Sequence, residues 1–167
     1  MILLEKFTSS DFERLKSWIK TEEELIQFAG TIFTFPLTDE QLNNYVQMTD
    51  RKPLRVVLNE LVIGHCELNF QNITPRLSRI IIGDKAFRGK GFGRAIVIAM
   101  VNEIFQNEEC NQIDLNVFDR NTFAISCYQK VGFTINPKES KVVTVNGESW
   151  NCLNMILDTN NFNFLTH

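Results

Sequence analysis

The stretch "RIIIGDKAFRGKGFGRAIVIAM", Arg79 to Met100, decides how the rest of the chain is read. Three isoleucines run into Gly83-Asp84-Lys85. Gly89, Gly91 and Gly93 then alternate with other residues, and an apolar run free of glycine and proline follows. That is a strand, a glycine-rich turn and a helix. Glycines at alternate positions let successive backbone N–H groups converge on an anion at the positive helix end. Arg88, Lys90 and Arg94 add charge. The P-loop pattern fails, because Gly91 stands after Gly89-Lys90 where a Ser or Thr would hold magnesium. The dinucleotide fingerprint G-x-G-x-x-G fails as well, because Arg94 occupies the place of its last glycine. What remains suits a pyrophosphate held without a metal; the competing reading is a plain strand-to-helix turn with solvated cations.

The whole chain fits one α/β domain with a mixed sheet. Its 167 residues, 44% hydrophobic and 22% charged, are enough to bury a core. A net charge of −3 argues against a broad nucleic-acid surface. The start, "MILLEKFTSSDFERL", does not read as a signal peptide, and no apolar stretch is long enough to span a membrane. Cys66, Cys110, Cys127 and Cys152 are widely spaced, which predicts reduced, mostly buried thiols in a cytoplasmic protein and no zinc site.

Residues 2–7 read as a strand. Helices follow, the first capped by Ser9 or Ser10, the next by Thr21 and a third by Thr38. "LRVVLN" and "LVIGHCELNF" predict a hairpin turning at Asn59-Glu60, and Leu77 to Ile82 a third strand. Phe92 to Phe105 is a helix apolar nearly all round, and "QIDLNVF" is a strand. Asn121 to Val131 is a helix closed by Gly132, and a hairpin turns at Asn146-Gly147.

Downstream, "NTFAISCYQKVGF" sets Asn121, Ala124, Tyr128, Lys130, Gly132 and Phe133 in the pattern N-x-x-A-x-x-x-Y-x-K-x-G-F. Together with I-G-D-K-x-x-R-G-K-G-x-G, this resembles the GNAT superfamily of acetyl-coenzyme A-dependent N-acetyltransferases, from about Leu54 to the last hairpin. The resemblance implies a single domain over residues 1–167. Residues 1–50 are the variable acceptor-side segment, and 54–157 the acetyl-CoA-binding core. It implies a sheet splayed between its fourth and fifth strands. Backbone amides from Arg88 through Gly89, Lys90, Gly91, Phe92 and Gly93 to Arg94 bind the CoA pyrophosphate. The strand ending at Ile81, Ile82 and Gly83 borders the gap that takes the pantetheine arm, and an N–H near Ile82 or Gly83 polarises the thioester carbonyl. Asn121 contacts the cofactor and Tyr128 stands near its sulfur. Lys85, where many relatives carry proline, implies a looser loop entry.

Acetyl transfer to an amine needs a neutral nucleophile, a stabilised oxyanion and a protonated leaving thiolate. Tyr128 is the candidate acid, since a phenol stays protonated at neutral pH. Glu67 is the candidate base: a period of two sets Ile63, His65, Glu67 and Asn69 on one strand face, and that face serves if it opens to the cleft. His65 is the alternative base. Asn116 is a candidate for the gap. Trp18, Phe28, Phe33 and Phe35 are candidates for the acceptor wall, or else core. Cys127 is set aside as a nucleophile, because its helical partner Phe123 places it on a packing face. The reading is an N-acetyltransferase moving acetyl from acetyl-CoA to the primary amine of a small molecule or a protein N-terminus. Attack is direct, in a ternary complex, without metal, nucleic acid or membrane. A longer acyl donor, a non-catalytic acyl-CoA sensor, and a monomer or homodimer stay open.

Overall fold

A computed structural model of the chain describes residues 1–107 and 109–162. Strand β1 (Ile2–Lys6) leads to a 3-10 turn at Ser9–Asp11 and then helix α1 (Phe12–Trp18). Ser9 and Ser10 lie inside that turn and are not its cap. Thr8 takes the role, its N–H donating to Asp11 Oδ2 at 3.1 Å. Helices α2 (Glu22–Ala29) and α3 (Asp39–Val46) start where expected: the Thr21 hydroxyl accepts from Glu24 N, and that of Thr38 from Gln41 N.

Strands β2 (Arg51–Leu58) and β3 (Leu61–Asn69) form the predicted hairpin. Asn59 and Glu60 both have positive φ, 47° and 68°, the geometry of a tight turn between twisted strands. Next come β4 (Arg76–Ile82), helix α4 (Phe92–Asn107), β5 (Gln112–Phe118) and α5 (Thr122–Val131). Gly132 closes α5 at φ 118°. The hairpin β6 (Thr134–Val145) and β7 (Glu148–Asp158) turns at Asn146-Gly147, where φ is 50° and 82°.

One seven-stranded sheet runs β1-β2-β3-β4-β5-β7-β6. Among the described residues only β4 and β5 are parallel, and their register covers just Arg76↔Asp114 and Leu77↔Leu115. Beyond that short pivot the two strands part, so the sheet is splayed between its fourth and fifth strands. Arg76 holds the pivot with a forked ion pair, Nε to Asp114 Oδ1 at 2.8 Å and a terminal N–H to Oδ2 at 2.6 Å. Asn154 donates to the same Oδ2 at 3.0 Å.

Among the described residues the sheet carries three apolar clusters, the smallest of them Phe118, Val145, Trp150 and Cys152. On one face, α4 buries Ile96, Val97, Met100, Val101 and Ile104, none more than 1% exposed, against Leu54, Cys66, Leu77 and Leu115. Each such side chain contributes about 1.5–3 kcal/mol. The second core packs α1–α3 with Phe7, just after β1, through Leu15, Phe28, Phe33, Leu42 and Tyr45. No helix among the described residues is long and apolar enough to cross a membrane.

Candidate active site

The glycine loop runs from β4 into α4. Asp84 caps a 3-10 turn at Lys85–Phe87, its carboxylate accepting from Ala86 N at 2.8 Å. Phe87 N and Arg88 N also donate within that turn. The entry expected to loosen at Lys85 is therefore held by Asp84. Gly89 and Gly91 have φ of 74° and 85°, and a methyl group added at either would meet nothing within 4 Å. These glycines serve conformation, and the space beside them is open. Among the described residues, no backbone N–H from Gly89 to Arg94 donates a hydrogen bond; the first helical bond is Ala95 N to Gly91 O at 3.2 Å. Lys90 and Arg94 are exposed, and neither pairs with an acidic side chain among the described residues. The Arg88 guanidinium turns back to the end of β4: Nε donates to Ile82 O at 2.8 Å and a terminal N–H to Gly83 O at 3.2 Å. Phe92 is half-buried, its ring 5.9 Å from that of Phe87.

Gly93 joins the parts of the site. A Cβ built on it would lie 3.6 Å from Cys127 Sγ and 3.9 Å from Ile82 Cδ1, so the first turn of α4 sits between α5 and the end of β4. On α5, Asn121 is the N-cap, its Oδ1 accepting from Ala124 N at 3.3 Å. Tyr128 packs edge-on against Phe133, with ring centroids 6.2 Å apart. Among the described residues its hydroxyl has no hydrogen-bond partner, and burial, with the Cys127 thiol beside it, pushes the phenol well above its ordinary range. Phe123 is 91% exposed, so the packing-face argument about Cys127 does not hold. The Cys127 thiol is instead kept protonated by burial, which outweighs Lys130 and Arg94 nearby.

The backbone of β4 decides which amide meets the gap. Gly83 N donates to Ile63 O at 3.0 Å and is thus committed to β3. Successive N–H groups along a strand point to opposite sides, so the Ile82 N–H faces away from β3, toward the splay. Of the two amides considered from sequence, Ile82 is the available one. Ile80 and Ile82 pack on the α4 side, Ile81 among the residues of α1–α3.

The face carrying Glu67 does not open to a cleft. Glu67 is fully buried. The Tyr45 hydroxyl donates to its Oε2 at 2.6 Å; Asn69 Nδ2 donates to Oε1 at 3.0 Å, and Arg79 binds that same oxygen. Arg51 lies 3.8 Å away. His65 is 1% exposed, with Nε2 3.2 Å from the Tyr45 hydroxyl. Burial first, and Arg79 second, push its pKa down to about 3. Ile63 departs from the shared face: a bulge between Val56 and Val57 moves it into the α4-side core.

Arg79, Tyr45 and Arg51 are the residues that sequence reasoning missed. The available signal was an arginine, Arg79, set directly before the three isoleucines of its strand. Arg79 has φ 49°, a left-handed conformation that costs a non-glycine residue about 1–2 kcal/mol. Of the aromatics considered for the acceptor wall, Phe28 and Phe33 are core, Phe35 is 42% exposed, and Trp18 lies flat on Gly83. Asn116 is exposed, its Oδ1 accepting from Asn154 Nδ2 at 3.0 Å.

The family model described as "Acetyltransferase (GNAT) domain" matches residues 2–134. A probable spermine N(1)-acetyltransferase of Bacillus subtilis subsp. natto (strain BEST195) is 37% identical over 60 residues, 36% of this chain and 39% of that protein. An aminoglycoside N(6')-acetyltransferase type 1 of Klebsiella pneumoniae is 26% identical over 114 residues, 66% of this chain and 55% of that protein. The chain thus spans about two fifths to one half of these relatives' own lengths. Among solved structures, spermidine N-acetyltransferase from Vibrio cholerae in complex with CoA and spermine superposes with a TM-score of 0.79 at 18% identity, over 96% of each chain. The aminoglycoside acetyltransferase AAC(6')-Ib with ribostamycin and coenzyme A gives 0.77 at 19% identity, over 99% of this chain and 98% of that one. These two likenesses establish the fold, and the family match extends across most of the sequence: the chain belongs to the GNAT acetyltransferase family.

Proposed function

We propose that the chain transfers the acetyl group of acetyl-CoA to a primary amine of a cationic small molecule, by direct attack in a ternary complex. The observation that carries this reading is the parted β4–β5 pair, with the Ile82 N–H facing the gap and the unbonded amides from Gly89 to Arg94 at one end of it. The cationic acceptor class is supported by the relatives named for spermine, spermidine and aminoglycosides.

The residues present fit the donor. Open glycines at 89 and 91, with N–H groups and Lys90 and Arg94 side chains that no described residue engages, suit a pyrophosphate. Asn121, Ile81 and Gly83 border its path, and Arg88 stands at the head of the loop. Acetyl-CoA supplies the acetyl group as an activated thioester. A lysine-like amine has to lose a proton first, at about 4–5 kcal/mol at pH 7. With Glu67 and His65 both sealed, that proton leaves to water in this reading, and Glu67 acts as a positioning group. The Ile82 N–H donates to the acetyl oxygen as negative charge develops there, so that the new C–N bond forms while the C–S bond breaks. Tyr128 gives its proton to the departing sulfur, and the second proton that the attacking nitrogen sheds as the amide forms passes through solvent and restores the phenol.

Thiol release from acetyl-CoA with spermine, spermidine, an aminoglycoside and an N-terminal peptide tests the reading. Turnover with a cationic polyamine or aminoglycoside is expected, and Tyr128→Phe lowers kcat by about 10²-fold or more with CoA affinity retained. CoA binding without turnover of any amine would sink the enzyme and leave a sensor. Wild-type kcat in Tyr128→Phe would remove Tyr128 from the chemistry.

A further inference from the structure

Strand β4 does not run straight to the gap. Its register with β3 passes from Glu67↔Ser78 to His65↔Ile81, so Arg79 and Ile80 together oppose Cys66. This bulge reverses the parity of everything after it. Before it, Pro75 O accepts from Asp114 N, and Leu77 packs on the α4 side. A regular strand continuing from there would place Ile81 on the α4 side and turn the Ile82 N–H toward β3. The observed strand does the opposite: Ile80 and Ile82 are on the α4 side, and Gly83 N is the donor to β3. The one-residue bulge therefore selects the amide that meets the gap.

The bulge is centred on a residue whose backbone does not favour it, since Arg79 is left-handed at φ 49°. Such conformations persist only where the surroundings hold them. What holds this one is a buried cluster. The Arg79 side chain, 9% exposed, pairs with the fully buried Glu67 carboxylate. Asn69 fixes the same oxygen of Glu67, and the Tyr45 hydroxyl fixes the other. The Arg79 guanidinium also lies 5.7 Å from the centre of the Tyr45 ring. Tyr45 belongs to α3, so the cluster ties the acceptor-side helices to the strand.

We infer that the Glu67–Arg79 pair is a latch that holds the β4 bulge and thereby aims the Ile82 N–H at the gap. Both are positioning residues for acetyl transfer. The inference rests on the transferase reading given above. It separates sharply from a proton-acceptor role for Glu67, because a latch matters to every nucleophile and a base matters only to one that arrives protonated.

The experiment uses the full chain with Glu67→Gln, Arg79→Lys and Arg79→Gly. Glycine accepts the left-handed backbone without strain, so Arg79→Gly removes the latch while sparing the turn. Each protein is assayed with spermidine and with hydroxylamine, a nucleophile that is uncharged at neutral pH. The latch predicts that Glu67→Gln and Arg79→Gly lower kcat with both nucleophiles in parallel, by about 10–10²-fold, the scale of a misdirected donor. Affinity for CoA stays within about twofold, the pH profile of kcat keeps its shape, and Arg79→Lys recovers part of the loss. Hydrogen exchange on the ligand-free chain gives a second reading: the Gly83 amide loses protection in Glu67→Gln. Retained hydroxylamine turnover with lost spermidine turnover would overturn the latch in favour of a base, and wild-type kcat in Arg79→Gly would overturn it outright. A wild-type chain inert with both nucleophiles would refute the transferase reading. The exchange result would still decide whether Glu67 holds the bulge.

Discussion

His65 shows how burial, helped by the charge of Arg79, settles a residue's chemistry. Its ring meets Phe7 edge-on at 4.6 Å and Phe28 at 5.7 Å, and its pKa falls from 6.5 to about 3. The unfolded chain therefore carries a proton on His65, between about pH 3 and 6.5, that the folded chain refuses. The associated stability is complete above pH 6.5 and is lost as the pH falls, at about 1.4 kcal/mol per pH unit for one proton. Urea titrations at pH 7, 6 and 5 should give His65→Gln a shallower slope by up to one proton, and an unchanged slope would mean that His65 titrates normally when folded. At this scale the sequence shows which residues are chemically capable, not which are sealed. Glu67 and His65 have the composition of a base pair for proton removal. Tyr45, thirty-four residues before Arg79, looks from its own helix like an ordinary apolar contact; only the fold makes it their lid.

Between elements, the seam joining α1 to β4 is set by one missing side chain. A Cβ at Gly83 would fall 1.8 Å from Trp18 Cδ2, inside the indole. Gly83→Ala should destabilise the fold by about 1–3 kcal/mol, the scale of overpacking, and should cost less in a Trp18→Leu background; equal losses in both would show that the ring is not what Gly83 accommodates. Elements with local chemistry were legible: Thr21 and Thr38 as caps, Asn59-Glu60 and Asn146-Gly147 as turns, Gly132 as a helix stop. The bulges at Ile63 and Arg79 were not. A period of two assumes a uniform pleat, and each bulge breaks the period through contacts made from other strands and helices. The loop was legible in its glycines and misleading in Arg88, whose charge suggests an anion while its guanidinium holds the carbonyls of Ile82 and Gly83.

The molecule as a whole is two antiparallel half-sheets, β1–β4 and β5–β7–β6, meeting at two residue pairs. Its outer edge β6 is guarded by Pro137, Lys138, Glu139 and Lys141, around a register shift between Asn136 and Lys141, features that blunt edge-to-edge pairing. The splay was implied by the family resemblance that the paired motifs carry, but the pivot that limits it was not, since Arg76 and Asp114 lie 38 positions apart. That pivot gives the protein a mechanical character. Loaded by an optical trap through handles at residues 2 and 158, the sheet should tear first along the β4–β5 line, where a forked ion pair and two ladder positions act as a fuse. Coenzyme A lying across the line would work as a stitch and raise the rupture force. An unchanged force with saturating CoA would mean that the two halves are not bridged by their ligand.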